Sequence, residues 1–378
     1  VGAVEFGIFL QGHVPHRKLD ENPDYEHVSF LNDIKLAKAA DRSGFKYIWV
    51  SEHHFLEEYS HISANEVFLG YLAAVTERIH IASGIFNITP PVNHPVRNAE
   101  RAAMLDHLTE GRFEMGTGRG AGSLEVTAFG IEDNAITKDM YADVIGEFVK
   151  MWTQEEYSYE GKFWSLPPRN VLPKPYAKPH PPLWMAAGNP PSFARAAQLG
   201  MGVLGFNMAS IKEMAPLVQA YKEALPDAKP VGKYINDNVM VTNTAIVLED
   251  GNKARKVAGE MGSGRHHSLV YRYHDTFPKP AYVPDWPATL PDPGPENIPK
   301  LVERGMMLCG SPDEVIEQME QYVEAGPDQI TFGLPTDMPI EAAIETIELF
   351  GEQVIPKFDT DQVHRSTRFR DAAAEATS

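Results

Sequence analysis

Two periods of apolar residues alternate along almost the whole chain. Short apolar runs at 4–10, 46–51, 79–88, 113–117, 183–187, 202–206, 239–248 and 329–334 have the length and the β-branched or aromatic content of buried strands. Between them, apolar residues recur three and four apart. In 30–43 the residues Leu31, Ile34, Leu36, Ala39 and Ala40 keep helical spacing, and Gly44 stands where the helix would stop. The stretch 95–108 opens with Pro95 and is followed by Gly111, the proline-in, glycine-out signature of a helix. In 138–152, Met140, Val144, Phe148 and Met151 share one side. Further helices are expected at 67–75, 190–199, 211–225 and 340–350. Eight strands alternating with helices predict an α/β protein, a single (β/α)8 TIM barrel over 1–358 rather than separate domains.

Two segments break the alternation. Residues 159–182 are rich in proline and read as an extended connection between strands four and five. Residues 262–299, between strands seven and eight, carry Gly262, Gly264, His266, His267 and a dense set of prolines. A structureless insertion of that length is usually functional or disordered, so a lid is expected there. Residues 359–378 form a charged, alanine-rich C-terminal extension. The formal charge of −18 would repel phosphate backbones and anionic lipid, so neither nucleic acid nor a membrane surface is an expected partner. The one cysteine, Cys309, permits no intramolecular disulfide and suits a reducing compartment. No apolar run is long enough to span a bilayer, and the first residues lack a signal-peptide pattern, so a cytoplasmic setting is expected.

In such a barrel, function gathers in the loops after the C-terminal ends of the strands. Strand two ends in Glu52-His53-His54, whose adjacent side chains point to opposite sides, so one histidine faces a ligand. Strand four ends in a glycine run holding one arginine, Arg119, a guanidinium suited to phosphate. Strand five ends in Gly188-Asn189-Pro190-Pro191-Ser192, opening a helix whose N–H groups and dipole favour an anion. Together these ends predict a phosphate cradle. No metal is expected: Pro15 between His13 and His16 prevents a helical ligand pair, and no multi-cysteine or carboxylate-rich ligand set appears. A serine nucleophile elbow is absent, and Gly116-x-Gly118-x-x-Ala121 is only a loose dinucleotide fingerprint.

Four motifs in order add a resemblance. They are Glu52-His53-His54-Phe55, His94-Pro95-Val96-Arg97, Leu105-Asp106-His107-Leu108-Thr109-Glu110-Gly111-Arg112-Phe113 with the glycine run behind it, and Pro179-His180-Pro181-Pro182-Leu183-Trp184. Over 4–204 and at the end of strand eight, the chain resembles the bacterial luciferase-like flavin-dependent monooxygenases. That resemblance implies a barrel binding FMN at its C-terminal mouth, a separate flavin reductase that supplies reduced FMN, and a homodimer formed through the helices after strands two and three. It implies that reduced FMN and O2 react through a flavin C4a-hydroperoxide to oxygenate a small organic substrate.

Residue by residue, His53 matches the family's catalytic histidine at the reactive edge of the flavin. Arg119, Gly188, Asn189 and Ser192 match the FMN-phosphate region, Gly188 through its backbone alone. Gly118 takes the place of luciferase's reactive cysteine, so light emission is not expected. Phe86-Asn87 matches a non-proline cis peptide that shapes the flavin site, and Glu52 orients the site or approaches the flavin, with His54 structural. Two alternatives stay open: a deazaflavin- or FMN-dependent dehydrogenase on the same barrel, and a non-catalytic flavin-binding protein.

Overall fold

The computed structural model describes residues 4–206, 210–335 and 337–377. Eight parallel strands close on themselves: β1 (Glu5–Leu10), β2 (Tyr47–Val50), β3 (His80–Ser83), β4 (Phe113–Gly118), β5 (Leu183–Ala187), β6 (Gly202–Gly205), β7 (Val239–Val247) and β8 (Gln329–Gly333). Closure comes from β8, which pairs with β7 on one side and β1 on the other. Alternation along each strand splits the core in two. On β2, Tyr47 and Trp49 point into the barrel, where they join Trp184, Ala82, Leu204 and Met240. Ile48 and Val50 point out and pack under the helices. Gly7 lies where three strands crowd, since a Cβ there would come within 2.9 Å of Thr331 Oγ1 and 3.0 Å of the Tyr47 carbonyl.

The single TIM barrel expected from the alternation is the architecture observed, with local departures. The run 79–88 is interrupted after Ser83; a non-proline cis peptide lies at Gly84–Ile85, and Phe86–Asn87 then resumes pairing with β4. The cis bond assigned to Phe86-Asn87 is therefore two residues off: those residues sit in ladder register with Thr117 and Gly118. The helix expected over 138–152 divides into Thr137–Ile145 and Phe148–Thr153, flanking Gly146. Part of the proline-rich connection folds as a ribbon of Tyr157–Glu160 against Ser165–Arg169. An extra short strand, Leu308–Gly310, pairs with the far end of β7 and buries Cys309.

The 262–299 segment is not structureless. Its first part is a helix, Ser263–Tyr273, whose Leu269, Val270 and Tyr273 pack with Leu56 and Tyr59 beyond the end of β2.

At the opposite, N-terminal end of the barrel, the helix Arg365–Thr377 and the residues before it cover a buried polar network. Glu114, fully buried, accepts from Ser366 Oγ at 2.5 Å and Trp184 Nε1 at 2.7 Å, and lies 2.7 Å from His80 Nδ1. Lys46 pairs with Glu5 and Asp359, and the His364 ring stacks 3.5 Å from that of His80. Burial holds both imidazoles well below the ordinary value of 6.5. They are neutral when folded and free to protonate when unfolded, so the unfolded chain takes up more protons as pH falls through about 6.5. The stability that depends on them is lost below that pH. Glu114, pushed up to about 7 by burial, works the other way, because its folded form keeps a proton that an ordinary carboxyl releases. His364→Phe keeps the stack on His80 but cannot titrate. Its melting temperature, followed by circular dichroism, is expected to fall less steeply with acidification than that of the wild type.

Candidate active site

The sequence-predicted residues fall at the C-terminal ends of four consecutive strands. Glu52, His53 and His54 follow β2; Phe86 and Asn87 follow β3; Gly118 and Arg119 end β4; Gly188, Asn189 and Ser192 follow β5. The register Thr117↔Met185 makes Arg119 and Gly188 neighbours in strand order.

Past β2 the backbone is fixed from two directions. The His53 N–H donates to the Ile62 carbonyl at 3.0 Å, and the His54 N–H donates to Glu125 Oε1 at 2.8 Å. The His53 ring turns toward the same carboxylate, with Nδ1 at 3.2 and 3.4 Å from its two oxygens. Glu125 sits on the short helix Ser123–Ala128 after β4 and is buried. Burial alone would raise its carboxyl. The charge and hydrogen bond of His53 and the His54 amide outweigh it and hold the group below its ordinary value. An ionised carboxylate can only accept, so Nδ1 of His53 carries a proton whether the ring is neutral or charged, and Nε2 is the nitrogen left for chemistry.

His54 takes the other side. Its Nε2 lies 3.2 Å from Glu52 Oε1. Glu52 also accepts from Asn93 Nδ2 at 2.7 Å, Arg101 Nη2 at 3.1 Å and the Asn87 N–H at 3.4 Å. With its oxygens so occupied and 5% exposure, Glu52 is a brace behind the site. Phe86 belongs to the same brace: it is fully buried under the Arg101 guanidinium, which lies 3.9 Å from its ring centroid. Asn87 is turned inward too, its Oδ1 accepting from the Thr89 N–H and Oγ1.

Arg119 is the chain's candidate anion anchor. Its Nη1 donates to Asn134 Oδ1 at 2.9 Å and Thr137 Oγ1 at 2.7 Å, both neutral acceptors. Among the described residues no carboxylate lies within 4.0 Å of it. Burial lowers its pKa without removing its charge. Beside it, Asn134 Nδ2 is buried and has no partner among the described residues. Gly118 is required by packing, since a Cβ there would meet Ile85 Cγ1 at 2.7 Å.

The helix start Pro190–Gln198 departs from expectation. Pro190 and Pro191 have no N–H to offer. The Ser192 N–H donates to Asn189 Oδ1 at 3.0 Å, and the Asn189 N–H donates to Ser192 Oγ at 3.2 Å. The capping box thus consumes donors expected to be free, and since the Ser192 hydroxyl itself donates to the Asn189 carbonyl at 2.8 Å, an anion there must open the box. Among the described residues, none lies within 4 Å of where a Cβ on Gly188 would stand.

Sequence reasoning missed Glu125 and a cluster around Tyr59. Four imidazoles surround that buried phenol: His53, His266 and His274 have ring centroids 5.4, 5.3 and 5.2 Å away, and His13 lies at 6.2 Å. Burial depresses His13 and His274 to about 4 and His266 well below the usual range, so these three are neutral at physiological pH. His266 and His274 come from the insertion. The spacing of His266, Leu269, Val270 and Tyr273 carried a helical signal that the surrounding prolines masked.

The family model described as luciferase-like monooxygenase matches residues 4–329. The oxygenase component of a flavin-dependent trigonelline monooxygenase from Acinetobacter baylyi is 25% identical, over 88% of this chain and 91% of that protein. Among solved structures, the oxygenating constituent of 3,6-diketocamphane monooxygenase from Pseudomonas putida, in complex with FMN, superposes with a TM-score of 0.74. Its identity is 21%, over 94% of this chain and 99% of that one. A coenzyme F420-dependent tetrahydromethanopterin reductase from Methanopyrus kandleri shares the fold, with a TM-score of 0.62 and 23% identity over 95% of this chain and 100% of that one.

The His53–Glu125 geometry makes a direct prediction. Nitrogen NMR shifts of neutral His53 should report the Nδ1–H tautomer. Glu125→Gln, whose amide can donate as well as accept, should move population toward Nε2–H; an unchanged tautomer in that variant would contradict the assigned role of Glu125.

Proposed function

The chain belongs to the luciferase-like monooxygenase family and is a flavin-dependent monooxygenase; from that premise we propose that it is the oxygenase component of a two-component system, taking reduced FMN from a separate reductase and using O2 to oxygenate a small organic molecule. The observation that carries this reading is the His53–Glu125 dyad, which bridges the ends of β2 and β4, beside an Arg119 that has no carboxylate partner among the described residues, in one barrel mouth.

Bound FMN would supply the electrons that activate oxygen. Arg119 fits its phosphate: a charged fork held only by neutral oxygens can turn to a dianion without breaking an ion pair. Asn134 Nδ2, buried and without a partner among the described residues, is a second donor beside it. Gly188 and, once the capping box opens, the Ser192 hydroxyl border the same region. His53, fixed at Nδ1 by Glu125, holds or delivers a proton at Nε2 toward the reacting oxygen. Tyr59 and the neutral imidazoles of His13, His266 and His274 line that side of the mouth without introducing a further charge. Helix Ser263–Tyr273, packed on Tyr59, then serves as a lid that keeps water from the reaction.

Removing the dyad's acid–base member should separate binding from chemistry. His53→Ala is expected to keep FMN affinity within a few fold while diverting oxygen consumption from product to free hydrogen peroxide, by about tenfold or more. Coupled turnover at the wild-type rate would overturn the role. Transfer of hydride to a deazaflavin, with no oxygen consumed alongside reduced FMN, would favour the dehydrogenase on this fold instead.

The helices after β2 and β3, Asn65–Val75 and Pro95–Leu108, pack together and expose Val67, Tyr71, Met104 and Leu108 at 71%, 54%, 49% and 57%. Each pair is four residues apart on its helix, so the four side chains form apolar stripes on adjoining helices. They support a homodimer through this face. Light scattering should give twice the chain mass for the wild type, and Val67→Glu with Leu108→Glu should give the monomer.

A further inference from the structure

Helix Ser263–Tyr273 ends against the two loops that Glu125 joins. On the β2 side, the Tyr273 hydroxyl donates to the Glu57 carbonyl at 3.0 Å. On the β4 side, Thr276 Oγ1 donates to the Ala121 carbonyl at 2.7 Å, and Asp275 Oδ1 accepts the Ser123 N–H at 2.9 Å. Between these bonds the two backbones meet. Gly122 is buried, and a Cβ on it would stand 2.1 Å from the Tyr273 carbonyl oxygen, so only glycine lets the segment dock this closely.

Ser123 begins the helix that carries Glu125. The N-cap position of that helix is Gly122, which has no side chain to accept a backbone N–H. Asp275 supplies the acceptor from 152 residues away. With six residues, Ser123–Ala128, the helix is too short to hold itself and takes its orientation from such tertiary contacts. That orientation decides where the Glu125 carboxylate points. His274, between the anchors, is buried, and its ring stands edge-on to that of His53 with centroids 5.6 Å apart. Its Nδ1 lies 3.0 Å from the Val270 carbonyl, which ties the ring to its own helix. The segment thus bears on both members of the dyad, on Glu125 through the helix start and on His53 by contact.

We propose that Tyr273–Thr276 is a clasp that sets the His53–Glu125 pair, with Asp275 as a positioning residue, so that docking of the insertion gives the dyad its geometry. The catalytic consequence rests on the monooxygenase reading above; the effect on the dyad does not. Nitrogen NMR shifts of neutral His53 in the full chain test it. Asp275→Ala removes the acceptor at an exposed side chain. Gly122→Ala drives Tyr273 away, while its methyl stands an ordinary 3.6 Å from Glu125 Oε2. Each should raise the Nε2–H share of neutral His53 about twofold or more. Asp275→Asn keeps Oδ1 and should restore the wild-type ratio, which a general loosening of the fold would not allow. With reduced FMN and O2, the two disruptive variants should release about threefold more hydrogen peroxide per turnover than wild type. An unchanged tautomer in either folded variant, or Asp275→Asn shifted as far as Asp275→Ala, would overturn the clasp; should one variant fail to fold, the other decides alone. Shifted tautomers with wild-type coupling would overturn its catalytic role. A wild-type chain that neither binds FMN nor consumes oxygen, with the tautomer shifts as expected, would count against the flavin reading alone.

Discussion

The site depends on one carboxylate that ties two strand ends together. Glu125 accepts the His54 backbone N–H and faces the His53 ring, so a single side chain from the loop after β4 fixes both the path of the chain after β2 and the tautomer of the histidine it presents. The cost is burial of an ionised group, and it is offset because every interaction the group makes favours its charged form. Barrel closure makes the arrangement possible. With all eight strands parallel, loops distant in sequence emerge on the same face and can brace one another. Behind this face, the Glu52 carboxylate gathers His54, Asn87, Asn93 and Arg101 in the same manner.

Charge is handled differently at the two ends of the barrel. At the N-terminal end, Glu5, Lys46, His80 and Glu114 satisfy one another beneath the C-terminal segment, leaving little for a ligand. At the mouth, among the described residues, the Arg119 guanidinium has only neutral partners and Asn134 Nδ2 has none, while unpartnered buried atoms also occur at the opposite end, on Asn236, Asn238 and Gln329. A folded chain tolerates such deficits where a ligand completes them.

The barrel was legible because each strand runs through the core as a short apolar block and each helix repeats every three to four residues. His53 was legible because a buried strand ran directly into it. Glu125 was not, since nothing local announces a contact across 72 residues. The insertion helix was obscured by the prolines that follow it, although the positions of Leu269, Val270 and Tyr273 held its period. The cradle at Pro190 was a different kind of miss: the two prolines that remove its N–H groups stand in the sequence, and only the capping by Asn189 and Ser192 needed coordinates. The cis peptide was displaced by two residues because motif matching carries no backbone geometry.

The central claim is that one mouth holds a flavin with its phosphate on Arg119 and its reactive ring toward His53. A crystal structure of the chain soaked with FMN tests it most directly. The account predicts phosphate oxygens within hydrogen-bonding distance of the Arg119 guanidinium and the isoalloxazine ring beside His53 Nε2, with the His53–Glu125 contact intact. A phosphate bound elsewhere with Arg119 still held by Asn134 and Thr137, or a flavin ring remote from His53, would contradict it.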